Sequence, residues 1–123
     1  MIITADDAPT FSQDGTTAVG YASPSRGAAD LSVWRIRLDP GAGTPGHVLS
    51  REEVFLALEG DAVATLGDAE HPLAAGDCLV VPPGVPFSIA AGPAGFGAVC
   101  AMAAGGEATI LPDGPTLTPP WAA

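Results

Sequence analysis

The 123-residue sequence predicts an all-β fold, a small antiparallel β-barrel with little or no helix, and three observations lead there. Short apolar runs alternate with Gly, Pro and Asp breakers along most of the chain, the pattern of many short strands closed into a barrel or sandwich. Glycine and proline are abundant, at 16 and 13 residues, yet 47% of the chain is hydrophobic. The breakers therefore punctuate a core rather than mark disorder. No stretch longer than about ten residues keeps a 3.6-residue apolar period free of Gly or Pro, which leaves helix almost no place to form.

Taken in order, residues 5–30 hold strand-like pieces such as TTAVGYA between Gly15, Gly20, Pro24 and Gly27. The run LSVWRIRL (31–38) alternates, with Trp34, Ile36 and Leu38 on one face and Leu31, Val33, Arg35 and Arg37 on the other. The segments EVFLALEG (53–60) and DAVATLG (61–67) read as a hairpin turning at Glu59-Gly60-Asp61. DCLVVPP (77–83), VPFSIA (85–90) and FGAVCAM (96–102) read as three further strands. The tail PDGPTLTPPWAA is too proline-rich for a central strand, and Trp121 is expected to dock it onto the barrel. Residues 1–123 are thus read as one domain, large enough to stand without disulfide or metal staples.

Charge narrows the partners. Fourteen acidic residues against four arginines and no lysine give a net charge of −10, which disfavours nucleic acid and anionic membrane surfaces. No apolar run approaches the roughly 20 residues of a membrane-spanning helix, and the acidic start MIITADDAPT does not read as a secretion signal. A cytoplasmic location is the expectation. Cys78 and Cys100, both in apolar runs, are expected to be free thiols acting as small buried hydrophobes.

The residues GAGTPGHVLSREEVFLALEG (41–60) place Gly41, His47, Glu53 and Gly60 in a spaced pattern, and GDCLVVPPGVPF (76–87) adds Gly76, Pro82 and Gly84. Gly60 and Gly76 sit where the chain needs a positive φ, and Pro82-Pro83-Gly84 ends a strand with a rigid turn. The spacing resembles the two motifs of the small cupins of the RmlC-like type, whose fold is a jelly-roll barrel, a double-stranded β-helix. The resemblance implies a divalent metal held inside the barrel by two histidines and a glutamate of the first motif and a histidine of the second. Here His47 and Glu53 match, while Leu49 and Phe87 stand at the other two ligand positions.

Divalent catalytic sites generally use at least three protein ligands, so His47 and Glu53 alone would hold a metal weakly. His71, Cys78 and Cys100 are the other candidate donors, none at a family ligand position. The expectation is therefore no tightly bound cofactor, with a divalent Zn, Fe, Mn or Ni at His47 and Glu53 as the alternative.

The resulting functional expectation is a small, partly apolar organic ligand in a pocket lined by Trp34, Leu49, Phe55, Phe87 and Met102, with His47 and Glu53 as polar anchors. The alternative is a small cupin enzyme, of isomerase, cyclase, lyase or dioxygenase type, in which His47 and Glu53 form an acid/base pair or weak metal ligands. A carboxylate in such a place needs a cation or a raised pKa, and Arg35, Arg37 and Arg51 are the nearest candidate partners for Glu53. The resemblance also implies a homodimer.

Overall fold

The computed structural model describes all 123 residues. Its strands are β1 (Thr10–Gln13), β2 (Thr16–Ala22), β3 (Leu31–Leu38), β4 (His47–Leu49), β5 (Glu53–Leu66), β6 (Ala69–Ala74), β7 (Cys78–Val81), β8 (Phe87–Ala103), β9 (Ala108–Ile110) and β10 (Thr116–Leu117). The helical content is one 3₁₀ turn, Pro24–Arg26, so no helix is long and apolar enough to cross a membrane.

The strands form a curled antiparallel sheet in the order β1-β2-β3-β8-β4-β9-β10, with β5 pairing β6, β7 and β8. Two long strands make the curl. The second half of β8 lies between β3 and the first half of β5, whereas its first half pairs with the end of β5 and meets β4 at His47–Phe87. Each long strand thereby serves both walls of the barrel.

The expected hairpin at Glu59-Gly60-Asp61 is corrected: β5 runs straight through it, and both of its halves pair with β8. Register shifts at Ala57/Glu59 and Gly60/Ala62 bend the strand instead of reversing it. Their effect is visible in burial, since the inward residues are odd-numbered before the bend (Glu53, Phe55, Ala57) and even-numbered after it (Ala62, Ala64). Runs 85–90 and 96–102 are likewise joined in one strand, β8, not two.

The alternation of β3 holds as read, with Trp34, Ile36 and Leu38 buried and Leu31, Arg35 and Arg37 exposed. These side chains join Leu49, Phe55, Phe87, Ile89, Phe96 and Met102 in one core. Cys100 is fully buried within it. Cys78 is exposed, contrary to expectation, because β7 turns Cys78 and Val80 outward and Val81 inward.

The tail docks as expected. Trp121 packs near Phe11, with ring centroids 6.3 Å apart, and Arg26 Nη2 donates to its carbonyl at 2.6 Å. Ser32 Oγ, fully buried, donates to the Ala122 carbonyl at 2.6 Å. Both ends of the chain are so held across one end of the barrel.

Candidate functional site

Between the walls lies a cavity of about 690 Å³. β3 supplies Trp34, β4 supplies His47 and Leu49, β5 supplies Glu53 and Phe55, and β8 supplies Phe87. Six of the seven expected pocket residues therefore share one chamber. The seventh, Met102, is buried in the core but does not line it; its side chain lies against Gly106.

Strand geometry explains the grouping. His47 and Leu49 are two apart on β4, and Glu53 and Phe55 two apart on β5, so each pair shares a face. Phe87 lies opposite His47 in register. Its ring sits 4.1 Å from the imidazole and 6.0 Å, edge-on, from Phe55.

His47 Nδ1 donates to the Pro45 carbonyl at 2.8 Å. A carbonyl only accepts, so in the neutral ring Nε2 carries the lone pair. Burial lowers the His47 pKa below its usual 6.5, opposed by this hydrogen bond, so the ring is neutral at pH 7.

Glu53 is 6% exposed and makes no hydrogen bond or ion pair within the protein. Burial lifts its carboxyl from 4.5 to about 8, so it is largely protonated at pH 7. The expected arginine partners are corrected. Arg37 Nη1 pairs with Glu59 at 3.1 Å on the surface, while Arg35 and Arg51 are exposed. The alternation of β3 sends Arg35 and Arg37 outward, whereas Glu53 points inward with Phe55.

Glu53 and His47 are not joined to each other either, so the pair is not a hydrogen-bonded dyad. Of the other candidate donors, His71 is exposed on β6 and Cys78 on the outer face of β7. Cys100 is buried near Glu53 but does not line the cavity; burial, then the Glu53 charge, pushes its thiol well above the ordinary range.

The metal that the motifs imply does not fit these residues. No three His, Cys, Asp or Glu side chains converge. Leu49 and Phe87, each 2% exposed, fill two ligand positions with groups that cannot coordinate and that lower the local dielectric.

The chain termini complete the chamber in a way that strand patterns do not foretell. Phe11, Gln13 and Asp14 close it from the N-terminal side, and Leu117, Pro120 and Trp121 from the tail. The one sequence signal was Trp121, an aromatic in a proline-rich tail.

Comparison with known proteins agrees with this geometry. The family model for the cupin domain matches residues 34–94. Among solved structures, an RmlC-like cupin from Shewanella frigidimarina superposes with a TM-score of 0.73 at 19% identity, covering 83% of this chain and 88% of that one. Oxalate decarboxylase from Bacillus subtilis gives 0.74 at 23% identity over 81% of this chain. Salicylate 1,2-dioxygenase from Pseudaminobacter salicylatoxidans gives 0.68 at 27% identity over 76%. The chain spans only 28% of the length of each of these two enzymes. A search among curated proteins finds no match.

Proposed function

The chain is a member of the cupin family, and from that premise we propose that its barrel binds a small, partly apolar organic molecule without a tightly bound metal. The observation that carries this is the content of the cavity. Leu49 and Phe87 replace coordinating groups and join Trp34 and Phe55 as an apolar patch, against which His47 and Glu53 stand as polar groups, with Ser12, Gln13, Asp14, Thr16 and Thr44 elsewhere on the lining. An apolar chamber with a few convergent polar groups is the usual profile of a ligand site, and about 690 Å³ falls within the range such sites span.

The reading predicts that purified protein carries substoichiometric metal, that a chelator leaves its melting temperature unchanged, and that a screen of small organic compounds finds some that raise it. Stoichiometric Zn, Fe, Mn or Ni by elemental analysis removes the metal-free part. A screen without a hit removes the ligand part.

One observation favours a second reading, in which the cavity performs proton transfer. Burial moves the two groups in opposite directions, leaving a neutral base at His47 and a protonated acid at Glu53. Groups pushed apart in this way can serve as general base and general acid on one bound molecule. Once a substrate is in hand, His47→Ala is expected to lower turnover by about 10²-fold or more; turnover at the wild-type rate sinks the second reading and leaves the first intact.

A further inference from the structure

The cavity lining holds no lysine or arginine. The chain has no lysine at all, and its four arginines are engaged or outside. Arg26 donates to the Tyr21 and Trp121 carbonyls, Arg37 pairs with Glu59, and Arg35 and Arg51 are exposed away from the chamber. The ionisable groups that do line it are His47, Glu53 and Asp14, the last an exposed acid at the mouth.

A carboxylate or phosphate entering here would shed its hydration and find no counterion. It would also pass Asp14 on a chain of net charge −10. The two groups inside make a different demand. His47 has its Nδ1 hydrogen committed to Pro45 and keeps Nε2 as an acceptor. Glu53 lines the cavity and makes no hydrogen bond or ion pair within the protein. A ligand hydroxyl satisfies Nε2, a ligand oxygen satisfies Glu53, and a ring fills the space between Phe55, Phe87, Trp34 and Trp121.

We infer that the cavity takes uncharged, ring-sized organic molecules bearing a hydroxyl and an acceptor oxygen, and rejects carboxylates and phosphates. This deepens the ligand-binding role proposed above and rests on it.

Three compounds of nearly one shape separate the elements of this inference: methyl 3-hydroxybenzoate, methyl benzoate and 3-hydroxybenzoate. Both tryptophans of the chain line the cavity, so intrinsic fluorescence of the full chain at pH 7 reports occupancy. Methyl 3-hydroxybenzoate is expected to bind, and methyl benzoate more weakly for want of a hydroxyl. The 3-hydroxybenzoate anion is expected to bind weaker than its ester by at least about tenfold. Equal or tighter binding of the anion overturns the charge selectivity while leaving the cavity a ligand site, and equal binding of the two esters overturns the hydroxyl requirement. No response to any of the three overturns the inference, whereas the binding role itself stands or falls on the broader thermal screen.

Discussion

Gly60→Ala is expected to destabilise the protein by about 4 kcal/mol or more, a large share of the roughly 5–15 kcal/mol that holds a domain folded. Gly60 has a φ of +68°, where a side chain costs roughly 1–2 kcal/mol. A second cost is specific to this position. A Cβ on Gly60 would collide with the carbonyl oxygen of Gly95 and meet its carbonyl carbon at 2.8 Å. Both partners are backbone in paired strands, so relief requires separating β5 from β8 where they bend together.

The control is Gly84→Ala. Gly84 has a similar φ of +78°, yet a Cβ there meets nothing within 4 Å, so only the conformational cost of roughly 1–2 kcal/mol applies. Urea unfolding of both variants measures the difference. Equal midpoints would mean that the close approach of β5 and β8 contributes nothing.

Gly60 also shows where reading the sequence reaches its limit. A glycine between Glu59 and Asp61 satisfies the local chemistry of a hairpin turn and of a bulged, continuous strand equally well. The two differ in what each half pairs with, and the partner here is β8, some thirty to forty residues further along the chain. Alternation in LSVWRIRL placed Trp34 inside and Arg35 outside because one strand's own pleat decides both. Glu53 offers a contrasting case: its inward placement followed from the motif, but its lack of a cation depended on the faces of β3 and on the surface pairing of Arg37 with Glu59. Cys78 departs from expectation because CLVVPP is apolar on both faces, so composition does not say which face of β7 is inside. The mouth of the cavity was illegible for a third reason. Phe11 and Trp121 come together from opposite ends of the chain, and nothing local to either announces the other.

Glu53 governs the largest pH effect expected of the fold. Its carboxyl titrates near 8 when buried, against 4.5 for the ordinary group. The folded state thus binds the proton more tightly than the unfolded chain, and the stability this contributes is fully present below pH 4.5 and lost as pH rises through about 8. The slope is about 1.4 kcal/mol per pH unit while the unfolded carboxyl is ionised and the folded one is not. His47 works in the opposite sense. With its folded pKa below 6.5, the neutral ring contributes stability above pH 6.5 that is lost on acidification. The two slopes oppose each other below about pH 6.5 and Glu53 acts without that opposition above it, while Cys100 enters only beyond 9.0. Between about pH 6.5 and 8 the protein is therefore expected to lose roughly 2 kcal/mol. Glu53→Gln keeps the shape and a hydrogen-bond donor but cannot ionise, so its stability should stay level across that interval, and the two proteins should diverge as the pH rises. Urea unfolding at several pH values reads this directly. A wild-type profile as flat as that of Glu53→Gln would mean that the carboxyl is solvated or paired in the folded state, and that the chamber is wetter than its lining of Leu49, Phe55 and Phe87 implies.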